Sequence, residues 1–166
     1  MRIKYMWIIK SSIIAAIYAS LVIVLAPISF HVIQIRIADS LLLLPLFKFF
    51  GFSSVIGLTI GCVIANFFSP FGLLDIVYGS ISNLIAGLIA YAIGIFCNRL
   101  NLLTVVSTAI LQSLVIAVII GYGLLHLVFN EPILIAFLGV FIGSLLSIGI
   151  IGSSIVFFIE KRFGIK

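Results

Sequence analysis

Apolar residues run almost unbroken along this chain, and the polar ones gather in a few short breaks. A helix that crosses a bilayer takes roughly 20 mostly apolar residues. Pro, Gly, Asn and charged residues divide the chain into stretches of about that size. Six helices are predicted, over about Trp7–Leu25, Ile37–Phe50, Ser53–Phe68, Leu73–Phe96, Leu103–Val128 and Ile133–Ile159. The breaks fall at Ala26-Pro27, Ser69-Pro70-Phe71-Gly72, Cys97–Asn101 and Phe129-Asn130-Glu131-Pro132. Between the first two helices, Ile28–Arg36 reads as a loop; Val32, Ile33, Ile35 and Ile37 allow it an extended piece. The second helix contains Pro45. It and the third are too short to stand upright in a bilayer, so they tilt or the bundle is locally thin. Merging them into one span gives five crossings instead of six.

Composition turns this pattern into a class. The chain has 166 residues, of which 64% are hydrophobic and 8% charged, and its mean hydropathy is +1.51. An ordinary soluble protein is excluded. A membrane barrel would alternate polarity over segments of about 10 residues, and no such alternation is present. The expected fold is an all-α membrane protein, a single domain over residues 1–166 built as a six-transmembrane-helix bundle. The N-terminus (Arg2, Lys4, Lys10, then an apolar run) has the look of a signal peptide. Pro27 directly after Ala26 is poor at a cleavage site, so a retained first helix is expected.

The net charge of +5 reads as topology charge at membrane edges. Six crossings with both termini in the cytoplasm put Arg2, Lys4, Lys10, Lys48, Arg99, Lys161, Arg162 and Lys166 inside, eight of the nine basic residues. Five crossings would strand one basic cluster outside. Three of the four acidic residues, Asp39, Asp75 and Glu131, then face outward, with Arg36 as the one exception to the rule. No basic patch interleaved with surface aromatics points to nucleic acid.

The costly residues are polar ones inside the apolar runs, because ionisable groups at membrane depth are rare and face a site or cavity. Gly61–Gly87 carries Asn66, Asp75 and Asn83. In the fourth helix Asp75, Gly79, Ser82/Asn83, Ala86 and Ala90 share one face, polar above and small below, which suits a pocket opening outward. Asp75 also suits a cap or helix-dipole position. Arg36 and Asp39 either form an ion pair anchoring the loop or contact a ligand, through a planar multi-donor fork and a carboxylate acceptor. Gln34 and Asn66 offer donors and acceptors together, which fits an aromatic heterocycle. Phe30 and Tyr78 are able to stack on one. His31 and His126 are candidates for ligand contact or simple packing.

Other chemistry is absent from the sequence. Cys62 and Cys97 have neither metal-ligand spacing nor a disulfide framework, and they read as packing residues. There is no nucleophile elbow, no HExxH and no Walker A motif. The chain is therefore not expected to be an enzyme, to bind ATP, or to hold a metal or cofactor. Small residues four apart allow close helix approach. Gly57, Gly61 and Ala65, and Gly139 and Gly143, read as internal packing; Ser12, Ala15, Ala16, Ala19 and Ser20 fit either packing or a partner protein.

Several segments together resemble the queuosine-precursor transporter (QueT) family. They are Ala15-Ala16-Ile17-Tyr18-Ala19, Ala26-Pro27-Ile28-Ser29-Phe30, Gln34-Ile35-Arg36-Ile37-Ala38-Asp39, Leu43-Leu44-Pro45, Gly61–Asn66 and Gly72–Ser80. They span roughly Ala15 to Gly87 in the right order and spacing. The resemblance implies a substrate-binding (S) component of an energy-coupling factor (ECF) transporter in the plasma membrane. Its partners would be a transmembrane coupling subunit and two ATPases. It also implies a substrate pocket near the outer surface, and that Ala15 and Ala19 dock to the coupling subunit; from the polar residues themselves, Gln34, Arg36, Asp39, Asn66, Asp75, Tyr78 and Asn83 are the expected substrate site. The family usually has Glu where Asp39 stands and Thr where Asn83 stands. The C-terminal half matches less: Gln112, Gly121-Tyr122-Gly123 and Gly143-Ser144 stand where the family often carries Asn, Glu or Gly-Glu.

The expected function is ATP-driven uptake of a small aromatic heterocycle, a queuosine precursor or a similar 7-deazapurine or vitamin-like molecule. The residues by themselves also allow a stand-alone ion-coupled carrier with Asp75 as its proton site. An intramembrane enzyme using His31 or His126 is a third, less supported reading.

Overall fold

A computed structural model describes residues 3–29, 35–97 and 100–164. Six helices form: α1 (Ile3–Val24), α2 (Ile37–Leu46), α3 (Gly51–Asn66), α4 (Leu73–Phe96), α5 (Leu102–His126) and α6 (Ile133–Phe163). Among the described residues there is no strand. A single helical turn, Ala26–Ser29, follows α1 where the sequence predicted a break. Pro27 is tolerated there because the first turn of a helix has no use for its missing N–H.

The second helix differs most from expectation. It stops at Leu46 rather than Phe50 and is wound as a 3₁₀ helix. Phe47 is extended and ends it, two residues after a proline that cannot donate to the helical ladder. The tighter winding stretches 10 residues over ~20 Å, against ~15 Å for an α-helix. With its 16 residues, α3 reaches ~24 Å at the α-helical rise. Four other segments are long and apolar enough to cross a membrane: Tyr5–Val24, Leu73–Phe96, Leu102–His126 and Ile133–Phe163. In α5 the last ten residues, Ala117–His126, are wound as a π-helix, and so is Leu145–Gly152 within α6.

Glycines set how closely the helices approach. A Cβ at Gly57 would lie 2.6 Å from the Ser11 carbonyl oxygen, and one at Gly61 would lie 2.8 Å from that of Ala15. These pairs advance together, so α1 and α3 run parallel. Across α3 and α4 the order reverses: Asn66 meets Asp75, Cys62 meets Gly79, Leu58 meets Asn83 and Val55 meets Gly87. Similar approaches join α4 to α2 at Gly94 and Leu46, α2 to α6 at Ser40 and Gly152, and α5 to α6 at Gly121 and Ala136. Consecutive helices thus alternate in direction.

That alternation sorts the charges. Lys10, bonded to the Phe49 carbonyl at 2.6 Å, lies with Lys48 at one end of the bundle. Arg36 and Asp75 meet at the other. Between the ends, Ile13, Ile17, Ile60, Ile64, Ile81, Leu84, Leu88 and many other large apolar side chains are exposed. An apolar surface of this extent marks contact with lipid.

Candidate substrate site

The polar group at the Asp75 end of the bundle is assembled from four segments. Gly72 opens α4 with φ +69° and ψ −151°, a conformation essentially confined to glycine. Asp75 then falls three residues into the helix, fully buried, where the positive end of the helix dipole favours a carboxylate. The dipole position expected for it is therefore found; the capping residue is Gly72, which has no side chain to cap with.

Arg36 does not pair with Asp39, as one expectation had it. Its Nη2 lies 3.2 Å from Oδ2 of Asp75, and its Nε donates to the Ser29 carbonyl at 3.3 Å. Arg36 is still extended (φ −86°, ψ 96°) when α2 begins, so its side chain leaves the helix and crosses to α4. Asp39, in the first turn of α2, instead accepts a 2.6 Å hydrogen bond from the Tyr18 hydroxyl of α1. Asn66 closes the group: its Nδ2 donates to the Asp75 carbonyl at 2.8 Å, while its Oδ1 has no partner. The Cys62 thiol lies 3.5 Å from the same Nδ2 and beside the Tyr18 hydroxyl.

Arg36, Asp39, Asn66 and Asp75 are each at most 5% exposed. The group is closed to solvent in this structure. Inside a bundle of low dielectric, paired charges of this kind are rare and functional.

The remaining expected residues are placed elsewhere. Asn83 lies on the predicted face of α4, eight residues beyond Asp75 and so ~12 Å deeper along the helix. Its Nδ2 donates to the Leu58 carbonyl at 3.4 Å. Tyr78 turns toward α5 and packs where Gly123 leaves room for its ring. His126 bonds through Nδ1 to the Glu131 carbonyl at 2.8 Å, closing the turn between α5 and α6. Gln112 is held by the backbones of α2 and α4. Phe30, His31 and Gln34 lie outside the described residues. Ala19 is buried against α3, and Ala15 lies at the floor of a cleft of about 260 Å³ walled by Trp7, Ile8, Ser12, Ile56 and Ile60.

Tyr18 is the residue that the sequence did not single out. It belongs to the buried stripe Ser11, Ile14, Ala15, Tyr18, Ala19 and Val22, whose helical spacing is legible in the sequence. A phenol on a buried apolar face needs a partner, and that requirement was the available signal.

The long apolar helices and the exposed apolar surface define a helical membrane protein. The chain belongs to the QueT transporter family, whose family model matches residues 8–161. No curated protein and no solved structure matches the chain significantly. The family match extends through the C-terminal half, beyond the Ala15–Gly87 region that carried the resemblance.

Proposed function

We propose that this chain is the substrate-binding subunit (S component) of an energy-coupling factor uptake transporter, taking a queuosine precursor or a related 7-deazapurine. The observation that carries the reading is the buried Arg36–Asp75 pair beside Asp39 and Asn66 in a QueT family chain. In this reading the six helices cross the plasma membrane with both termini in the cytoplasm, and the charged group opens outward. Asp39 and Asp75 take up N–H groups of the substrate, and Asn66 reads its ring edge. Gln34, Tyr78 and Asn83 complete the contacts when the site rearranges around the ligand. The subunit catalyses nothing itself. A coupling subunit docks against α1 at Ala15 and Ala19, and two ATPases drive reorientation of the loaded bundle. A site built on hydrogen bonds rejects analogues that leave its buried groups unpaired.

The test is saturable binding of 7-deazaguanine ligands to the purified chain, joined to mass spectrometry of whatever co-purifies with it and with Asp75→Ala. Binding that is lost in Asp75→Ala supports the reading, and absence of binding by the unaltered chain sinks it. Uptake into vesicles that lack any ATPase, driven by a proton gradient, would establish an ion-coupled carrier instead.

A further inference from the structure

We propose that a cavity at the Lys48 end of the bundle, opposite the buried charged group, is a site for an anionic phospholipid. The proposal does not depend on which solute the protein carries. The cavity has a volume of about 310 Å³ and is lined by Pro45, Lys48, Gly51, Tyr91, Gly94 and Ile95. Small-molecule sites begin at roughly 300 Å³. The turn between α2 and α3 creates the space. At the end of α2 the two backbones touch: a Cβ at Gly94 would lie 2.5 Å from the Leu46 carbonyl oxygen. Phe47 is then extended, and the chain turns into α3 at Gly51, whose φ of +47° favours glycine. The Gly51 N–H closes that turn on the Phe47 carbonyl at 2.8 Å. Tyr91 stands beside Gly51, and its ring packs on Phe52 with centroids 5.5 Å apart.

Two polar groups in the lining are uncommitted. Lys48 is exposed, and among the described residues neither it nor the Tyr91 hydroxyl has a hydrogen-bond or ion-pair partner. Lys10 is held instead, by the Phe49 carbonyl at 2.6 Å and over the Phe49 ring, and it adds a second positive charge one residue along from Lys48. No carboxylate lies in the described lining. Donors and positive charge together call for an anion. The remaining wall is apolar, and Phe49, Phe52 and Ile95 are each about half exposed. A small soluble anion leaves that wall wet. A phospholipid uses both parts: its phosphate meets Lys48 and Tyr91, and its glycerol and first chain carbons lie on Pro45 and Ile95. Lysine among aromatic residues at the end of lipid-facing helices is where headgroups lie, and basic pockets between such helices take anionic ones.

The test is native mass spectrometry of the full chain in detergent, titrated with phosphatidylglycerol and with phosphatidylcholine of the same acyl chains. Phosphatidylglycerol is expected to bind about fivefold more tightly, the worth of one lysine at an anionic lipid surface. Lys48→Gln should make the two affinities equal, Lys48→Arg should keep the preference, and Tyr91→Phe should lower it. Lys161→Gln removes the same charge outside the cavity lining and should change nothing. Both lipids are measured on one preparation, so loss of folded protein cancels in the ratio. A preference that survives Lys48→Gln, or that falls as far in Lys161→Gln, overturns the proposal. So does displacement of bound phosphatidylglycerol by an equal concentration of glycerol phosphate, which would make the cavity a site for a soluble anion. Loss of a co-purifying protein in Lys48→Gln, with the lipid preference intact, would assign the cavity to a protein contact instead.

Discussion

Gln112 Nε2 lies 2.7 Å from the carbonyl oxygen of Leu42, seventy residues away in sequence. In a 3₁₀ helix that carbonyl would accept from the N–H three residues on. The residue there is Pro45, which has none. Gln112 supplies the missing donor from α5, and the same amide nitrogen reaches the Ala86 carbonyl of α4 at 2.9 Å. One side chain thereby ties three helices together where α2 could not close its own ladder.

Replacing Gln112 by Leu should therefore cost stability. The Leu42 carbonyl, left buried without a donor, costs about 1–3 kcal/mol. Thermal unfolding in detergent should show a lowered Tm, while the remaining folded protein keeps its ligand affinity, because Gln112 lies away from the Arg36–Asp75 pair. An affinity loss without a Tm loss would assign Gln112 to the substrate instead.

The buried ion pair makes a second case. Arg36→Gln or Asp75→Asn alone breaks the buried pair, at a cost of about 3–5 kcal/mol. The double variant removes both charges and should recover most of that loss. A double-mutant cycle on unfolding free energies measures the coupling. Additive single effects would show that the two groups do not act as a pair.

Gly79 and Gly61 should respond differently to alanine. A Cβ at Gly79 collides with the Asn66 amide, the free end of a flexible side chain. Asn66 can yield, giving up its bond to the Asp75 carbonyl at about 1 kcal/mol in stability, and ligand binding should weaken strongly. At Gly61 the obstacle is the Ala15 backbone, which cannot move alone. Gly61→Ala should push α1 from α3 and cost about 1–3 kcal/mol. Parallel measurements of Tm and Kd separate the two outcomes.

Docking on α1 is tested by bulk. Ala15→Trp fills the floor of the cleft between α1 and α3. It should abolish co-purification with a coupling subunit while leaving ligand binding intact. Ala15 and Ala19 are 6% and 5% exposed, so Trp at either position should lower Tm as well. Full assembly and uptake by Ala15→Trp would remove α1 docking from the proposal.

Much of the fold was legible because apolar runs of bilayer length leave little choice of element. The helix predicted over Leu73–Phe96 has those bounds in the structure. Its buried face, Asp75, Gly79, Ser82, Asn83, Ala86 and Ala90, is the one that the four-residue spacing indicated. Less legible was α2. Pro45 announced a disturbance there, but neither the 3₁₀ winding nor the donor that Gln112 brings to the Leu42 carbonyl from far along the chain had a local signal. The π-wound parts of α5 and α6 carried no local signal either.

For the site, the sequence by itself determined which residues were expensive. Arg36, Asp39, Asn66 and Asp75 stood out because charges and amides are costly in an apolar chain, and that cost is local. Partners are not local. Arg36 and Asp39 are three residues apart, yet Arg36 bonds to Asp75 on α4 and Asp39 to Tyr18 on α1. Only the tertiary structure decided this, because the extended backbone at Arg36 sends its side chain across the bundle, while the packing of α1 against α2 brings Tyr18 to Asp39.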